Sequence, residues 1–278
     1  MAANRVSTLH RTAFVTGAST GLGRAFTEML LAEGVRVWGT SRDPVRLGSV
    51  ASAHPGAFTP VALDLRDAAA AIATFRAMDR DAGGFDLLIN NAGYGAFGEF
   101  ATAEFESWRD QLEVMLVNTA ALAHAALPGM LERRRGALVN ISSLAAEFPL
   151  PFQPAYNMAK AGLTALSESL MIETRGTGVV VLDVRPGDYR TDFEGSVTRL
   201  PGSRTPRAAR AWRAFEGMMR SGPPPEHAAA ALRRALLRNE SGTVRTGRFF
   251  QATLAPLLTR LAPLSLSRCI QASYFGLR

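Results

Sequence analysis

The stretch Thr16-Gly17-Ala18-Ser19-Thr20-Gly21-Leu22-Gly23 decides how this 278-residue chain begins to fold. It follows an apolar run at 11–16, which is typical of a buried strand, and it opens a segment at 21–33 whose apolar residues recur at helical spacing. Glycines permit a tight turn between a strand and a helix and let a ligand approach the backbone closely. The free N–H groups at the start of the helix favour an anionic group such as a pyrophosphate. An ordinary turn can look the same, so the neighbouring elements have to support this interpretation.

Strands and helices alternate along most of the chain. Further strands are predicted at 35–40, 58–63, 86–90, 137–141, 179–184 and 243–246, and helices at 67–81, 104–115, 117–134, 155–175 and 225–238. This alternation predicts an α/β fold, a doubly wound, Rossmann-like parallel sheet with helices on both faces. We predict a single domain over 1–278, with a small helical insert at about 187–222 that covers the substrate and a C-terminal extension at 249–278.

Composition narrows the class of protein. At 47% hydrophobic and 20% charged the chain can bury a full core, and the lone Cys269 excludes a disulfide framework, so we expect a cytoplasmic protein. The first residues lack the apolar core of a signal peptide, and no run of about 18 uncharged apolar residues predicts a membrane span. The net charge is +7, but the arginines are scattered, so we expect no nucleic-acid partner.

The only lysine among 31 basic residues is Lys160. Tyr156 precedes it by one helical turn, and Ser143 follows a predicted strand at the edge where ligands bind in such sheets. A phenol with a pKa of about 10 is a poor base at neutral pH, and a nearby ammonium would lower that pKa. A serine hydroxyl can hydrogen-bond a developing alkoxide. These residues predict acid–base chemistry at an oxygen atom, although a surface Tyr–Lys pair and a loop serine would give the same pattern.

A second cluster, Asn90-Asn91-Ala92-Gly93, ends the predicted strand at 86–90. Small residues there would let the backbone lie flat against a ligand, but asparagine also suits turns.

Together these motifs resemble the short-chain dehydrogenase/reductase family, of the classical type, over about residues 11–193. The family's glycine motif is matched by Thr16, Gly17, Gly21 and Gly23, its adenine-contacting pair by Asp64-Leu65, its N-N-A-G by residues 90–93, and its P-G…T segment beside the nicotinamide by Pro186, Gly187 and Thr191. The resemblance implies a Ser143, Tyr156 and Lys160 catalytic set, in which Lys160 also holds the nicotinamide ribose. It further implies that Asn118 holds a water joining Lys160 to solvent, and that the hydride is carried on the pro-S face.

The full set of coenzyme contacts that we predict comprises Thr16, Gly17, Ser19, Thr20, Gly21, Leu22, Gly23, Ser41, Arg42, Asp64, Leu65, Asn91, Ala92, Gly93, Tyr156, Lys160, Pro186, Gly187 and Thr191. At the end of the second strand, Ser41 and Arg42 stand where NAD-preferring proteins carry an acidic residue for the ribose 2′-hydroxyl. Because Arg pairs strongly with phosphate, we expect NADP(H) to be preferred, with NAD(H) as the alternative. Thr20 argues the other way, since some NADP users place a basic residue there. We assign no metal ligands.

The expected activity is interconversion of a carbonyl and an alcohol on an apolar small molecule. Residues predicted to flank the substrate are Tyr94, Phe97, Phe148, Pro149, Phe152, Tyr189, Phe193, Trp212 and Met218. Asp188 departs from an apolar site: if it faces the substrate it repels anions, and if it faces solvent it has no role. A non-catalytic NADP-binding regulator and an epimerase or dehydratase are the alternatives, disfavoured by the Ser–Tyr–Lys set and by the small insert.

Two expectations concern association. The predicted helices at 117–134 and 155–175 carry apolar residues on more than one face, and by the resemblance such helices pair between subunits, so we expect a homodimer or homotetramer. The extension carries an apolar stripe, which we expect to pack on its own domain or a neighbouring subunit rather than on a membrane. Pro256 and Pro263 argue against one continuous helix there.

Overall fold

The computed structural model describes residues 5–191, 193–261 and 263–277. Its strands are β1 (Thr12–Val15), β2 (Arg36–Ser41), β3 (Phe58–Ala62), β4 (Leu87–Asn90), β5 (Gly95–Phe97), β6 (Gly136–Ile141), β7 (Val179–Pro186), β8 (Val197–Arg199) and β9 (Gly242–Thr246). Seven of them form one parallel sheet in the order β3-β2-β1-β4-β6-β7-β9. The order reverses between β1 and β4, which is where ligands bind in open α/β sheets. The predicted α/β, Rossmann-like fold is confirmed.

The helices are α1 (Gly21–Ala32), α2 (Gly48–Ala53), α3 (Ala68–Ala82), α4 (Phe105–Leu112), α5 (Asn118–Glu132), α6 (Pro154–Glu173), α7 (Pro206–Arg220), α8 (Pro225–Arg238), α9 (Ala255–Leu261) and α10 (Leu264–Tyr274). The central strands are buried on both faces, so successive side chains enter different cores. Val15 packs with Phe26 of α1, whereas Phe14 packs on the opposite face against Phe75 of α3. Helices therefore cover both faces of the sheet, as the alternation predicts.

One helical stretch in the described part of the chain, Phe105–Glu132, is long and apolar enough to cross a membrane on length and composition alone. It joins α4 to α5 through a π-helical turn at Glu113–Val117. Trp108, Leu122 and Met130 on this stretch are buried in the protein core. Its apolar character is thus explained by packing within the fold, and the π turn, a feature often found at functional sites, directly precedes Asn118.

In the described residues, the insert and the extension contribute no strand to the seven-stranded sheet. Within 187–222 the chain forms β8 and α7, and β8 pairs in parallel with β5 in a separate two-stranded sheet that sequence patterning missed. Three-residue strands are too short to show periodicity, which explains the omission. In the extension, Pro263 separates α9 from α10 as expected, whereas Pro256 lies in the first turn of α9 and does not interrupt it. The division of the chain into one domain with these two additions stays a prediction.

Candidate active site

A cavity of about 1250 Å³ opens at the carboxyl ends of the parallel strands. It brings together most residues that the sequence assigned to the site. Those lining it are Gly17, Ser19, Thr20, Gly21, Leu22, Gly23, Ser41, Arg42, Asp64, Leu65, Asn91, Ala92, Gly93, Ser143, Tyr156, Lys160, Pro186, Gly187 and Thr191. Thr16 and Asn118 lie behind this lining, so any role they have is exerted through neighbours.

The glycine turn between β1 and α1 is built for close approach. Gly17 has φ +68° and Gly21 has φ +54°, values that favour glycine. A Cβ on Gly23 would lie 2.1 Å from the Gly17 carbonyl oxygen, so only glycine fits where α1 begins. Thr20 makes no side-chain capping bond to α1, which leaves the first helical N–H groups available to an anion. The turn therefore fits the pyrophosphate of a dinucleotide.

Thr16 and Asn91 fix this turn against the end of β4. The Thr16 hydroxyl accepts the backbone N–H of Asn91 at 2.9 Å and of Ala92 at 3.0 Å. The Asn91 amide in turn donates to the carbonyls of Thr16, at 3.0 Å, and Gly17, at 3.2 Å. Thr16 thus has a positioning role, which explains why it does not line the cavity.

Ser143 follows β6, and Tyr156 and Lys160 lie one turn apart on α6, so all three face the same cavity. The buried Lys160 ammonium donates to the Ile141 carbonyl at 2.7 Å and lies 5.7 Å from the centre of the Tyr156 ring. Ser143 hydrogen-bonds the Tyr156 phenol, and its own hydroxyl accepts the Ala145 N–H at 3.0 Å. The serine, tyrosine and lysine that the sequence singled out are therefore neighbours in space.

The electrostatics of this trio differ from the sequence-based expectation. Burial raises the pKa of Tyr156 to about 12, the Ser143 hydrogen bond opposes that rise, and the Asp188 carboxylate adds to it. Burial also lowers the pKa of Lys160 to about 8, against the opposing effect of Asp183. The expectation of a lowered Tyr156 pKa is wrong for the chain alone, because withdrawal from water penalises the phenolate and is the largest effect on that pKa. At neutral pH the Tyr156 phenol is therefore protonated, and Lys160 is mainly an ammonium.

Behind the cavity, buried amides connect the strands. Asn118 donates from Nδ2 to the Leu65 carbonyl at 2.7 Å, which ties the start of α5 to the loop after β3. Asn90 donates to Asn140 at 2.9 Å, and Asn140 donates to Ser167 of α6 at 2.9 Å. This second chain of contacts joins β4 and β6 to the helix that carries Tyr156. The sequence placed Asn90 in the cluster that ends a strand, but its pairing with Asn140 depends on the fold.

At the opposite end of the cavity, Arg42 is exposed and follows Ser41 at the end of β2. Arg46 and Arg66 line the same region, which sequence reasoning missed because they are inconspicuous among so many arginines. The carboxylate of Asp43 accepts the backbone N–H of Val45 at 3.0 Å and so caps a local turn. The cavity therefore presents three guanidinium groups beside the loops after β2 and β3.

Asp188 faces the cavity rather than solvent, which resolves the two alternatives left open by the sequence. Its carboxylate accepts a hydrogen bond from Gln251 of the extension, and burial raises its pKa. Asp188 also raises the pKa of Tyr156, so its negative charge disfavours the phenolate form of that side chain.

The remaining lining is largely apolar, although only part of it is what the sequence indicated. Of the predicted flanking residues, Tyr94, Phe148, Tyr189, Phe193 and Met218 line the cavity. Phe97 and Trp212 instead pack together, with ring centres 5.0 Å apart, and Pro149 and Phe152 also lie outside the lining. The extension supplies Phe250, Leu258, Ile270 and Tyr274 to the wall. Among the described residues no group of three or more His, Cys, Asp or Glu side chains could hold a metal ion.

The sheet order, the glycine turn and the cavity beside it are those of an oxidoreductase that uses a nicotinamide dinucleotide. A family model described as short chain dehydrogenase matches residues 11–200. The chain is 40% identical over 187 residues to an uncharacterized oxidoreductase of Myxococcus xanthus, covering 66% of this chain and 74% of that one. The chain belongs to the short-chain dehydrogenase/reductase family of oxidoreductases, which bind NAD(P) and act on small molecules.

Solved structures agree. A short-chain dehydrogenase from Streptomyces avermitilis superposes with a TM-score of 0.81 at 30% identity, over 94% of this chain and 96% of the other. A metagenomic short-chain oxidoreductase in complex with NADP gives a TM-score of 0.66 at 31% identity, over 83% of this chain and 91% of the other. The structural similarity to the Streptomyces protein therefore reaches beyond residues 11–200, the segment that the family model matches.

Proposed function

We propose that this protein interconverts a carbonyl and an alcohol on a neutral, mainly apolar substrate and prefers NADP(H) to NAD(H). The observation that carries the proposal is the meeting of Ser143, Tyr156 and Lys160 in one cavity with the glycine turn. Neither a sensor nor a simple binding module needs a partly buried phenol beside a buried ammonium.

The coenzyme, when bound, supplies the hydride to the substrate carbon or accepts it. The Tyr156 phenol, protonated at neutral pH, donates its proton to the carbonyl oxygen, which the Ser143 hydroxyl holds by a hydrogen bond. Lys160, whose pKa is about 8, stabilises the phenolate that this transfer leaves and can return a proton toward it. For Asn118 we propose a positioning role, because its amide holds the start of α5 against Leu65.

The preference for NADP(H) rests on charge at the end of β2. Ser41 and Arg42 follow the strand whose acidic terminus would recognise a ribose 2′-hydroxyl, and Arg46 and Arg66 add positive charge to the same part of the cavity. A guanidinium binds phosphate through charge-assisted hydrogen bonds, so this region favours the 2′-phosphate. The NADP complex of the metagenomic relative is compatible with this preference.

The substrate class follows from the rest of the cavity. Its volume of about 1250 Å³ exceeds the roughly 300–1,000 Å³ typical of a single ligand pocket, which leaves room for a substrate beside the coenzyme. Phe148, Phe193 and Met218 offer apolar contacts, and the Asp188 carboxylate disfavours a nearby anion. We therefore propose neutral, mainly apolar ketones, aldehydes and alcohols as substrates.

The test is a panel of such compounds assayed for NADPH oxidation and for NADP⁺ reduction with purified protein. Active compounds should lose at least about 10²-fold in kcat in Tyr156→Phe and less in Ser143→Ala. Tyr94→Phe, which removes another phenol lining the cavity, serves as the matched control. Coenzyme binding with no turnover of any compound would favour a regulator, and product formation without net coenzyme turnover would favour an epimerase or dehydratase.

We further propose a homodimer or homotetramer formed through α5 and α6, because Val117, directly before α5, and Met158 and Ile172 of α6 are exposed. The cytoplasmic location stays a prediction.

A further inference from the structure

The extension leaves much apolar surface uncovered. Fourteen large apolar side chains are exposed among the described residues, and eight of them lie within this short segment. They are Phe249, Phe250, Leu254, Leu257, Leu258, Leu266, Ile270 and Tyr274, and we call them the tail surface. The sequence-based expectation that this stripe packs on its own domain is met only in part, since Phe275 is buried while Phe249 remains 76% exposed.

The charge of the extension has a single sign. All 24 acidic residues of the chain precede residue 241, whereas Arg260, Arg268 and Arg278 fall within 249–278. Arg268 is exposed on α10, beside the exposed side chains of Leu266 and Ile270. Aromatic and leucine side chains combined with arginine, and without carboxylates, are typical of helices that lie in the interface of an anionic membrane.

The tail surface is continuous with the mouth of the cavity. Phe250, Leu258, Ile270 and Tyr274 are exposed to solvent and also line the cavity. An apolar molecule held in a lipid layer under this surface would meet an apolar wall that leads toward Ser143 and Tyr156.

A second copy of the chain fits this surface less well than a lipid layer does. A two-fold interface sets each patch against itself, so it would bring the exposed Arg268 of one extension toward a patch of the same charge on the other. The extension provides no carboxylate to compensate that repulsion. The exposed Val117, directly before α5, and Met158 and Ile172 on α6 offer a different site for self-association.

We propose that the tail surface docks the protein on the surface of an anionic lipid bilayer, with the cavity mouth facing the lipid. The helices α9 and α10 lie in the headgroup region rather than crossing the bilayer, since each is far shorter than the roughly 20 residues a span requires. Entry of apolar substrate from the lipid rests on the proposed function, whereas docking itself does not.

The experiment is co-sedimentation of the full chain with two kinds of vesicle, phosphatidylcholine alone and phosphatidylcholine mixed with phosphatidylglycerol. The protein should pellet with the anionic vesicles and be largely released by high salt, because each arginine near such a surface contributes about fivefold in affinity. Leu257→Glu combined with Leu266→Glu should abolish pelleting, while turnover of a water-soluble ketone stays unchanged because neither residue lines the cavity. Val45→Glu, an exposed apolar position outside the tail surface and outside α5 and α6, is the matched control and should pellet as wild type does.

Wild-type protein that stays in the supernatant with anionic vesicles overturns the proposal. So does a change of mass in sedimentation for the Leu257→Glu, Leu266→Glu protein without any effect on pelleting, which would assign the tail surface to self-association. Docking and turnover are read separately: pelleting without activity on any compound would retain the docking site and reject the proposed function.

Discussion

The Lys160 nitrogen lies 5.7 Å from the centre of the Tyr156 ring, and its hydrogen bond goes to the carbonyl of Ile141 rather than to the phenol. This arrangement places a proton donor close to the phenol while both groups are withdrawn from water. It explains why Lys160 has a lowered pKa and Tyr156 a raised one. The Lys160 ammonium can therefore pass a proton to Tyr156 only after a reacting oxygen has taken the phenolic proton.

Lys160→Arg tests whether the site needs an ammonium or any positive charge. Guanidinium is broader than ammonium and does not give up a proton in proteins, and the slot beside Ile141 is buried. We expect a loss of at least about 10²-fold in kcat with the folded state retained, measured by steady-state kinetics and circular dichroism. Near-normal turnover would show that the site does not require a lysine at position 160.

The pH dependence of reduction should follow Lys160. Its folded-state pKa of about 8 means that the ammonium is present below that pH and is lost as the pH rises through it, while Tyr156, at about 12, stays protonated. We expect kcat/KM to be level near neutral pH and to fall above about pH 8. The residual activity of Lys160→Arg should lack this fall. If kcat/KM of that variant still decreased at the same pH, the ionisation would belong to another group.

Arg42→Ala tests coenzyme choice. Loss of a charge-assisted hydrogen bond should weaken NADPH binding by about 1.5–3 kcal/mol and leave NADH binding nearly unchanged, as titration calorimetry would measure. Arg76→Ala, an exposed arginine on α3 outside the cavity, is the control. An unaltered preference in Arg42→Ala, or a wild-type preference for NADH, contradicts the assignment.

Asp188→Asn tests selection against anionic substrates. Removing the charge should raise kcat/KM for a ketone that bears a carboxylate, relative to its neutral isostere, by at least about fivefold, since two like charges near contact cost about 1 kcal/mol even in water. The comparison is best made near pH 8, because burial raises the pKa of Asp188. Equal effects on both ketones would mean that Asp188 acts only through Gln251 and the packing of the extension.

Association through α5 and α6 is tested by sedimentation at micromolar concentration. We expect a multiple of the 29.8 kDa chain mass, and dissociation in Ile172→Glu because that residue is 77% exposed on α6 in the single chain. Val45→Glu, exposed elsewhere, should leave the mass unchanged. A monomer mass for the wild type would exclude this interface.

Sequence reasoning succeeded where chemistry constrains the chain locally. The glycine turn and the spacing of Tyr156 and Lys160 are legible because a close approach and a helix face each demand particular residues at fixed intervals. It failed for the pairing of β5 with β8, which depends on contacts between residues about a hundred positions apart. It also gave the wrong direction for the Tyr156 pKa, because burial depends on contacts such as that with the Phe193 ring, 5.9 Å away, which no motif reveals.

The short pair β5–β8 fixes the start of the segment that follows it. Gly95 lies opposite Val197, so closely that a Cβ on Gly95 would stand 2.6 Å from a Val197 methyl group. The pairing of β5 with β8 holds the chain in place up to Arg199. The helix α8, which packs beside the main sheet, begins at Pro225. Residues 200–224 therefore connect two structurally fixed points, β8 and α8. Chimeras that exchange this segment among relatives should alter the choice of substrate, while the residues around the glycine turn keep their geometry.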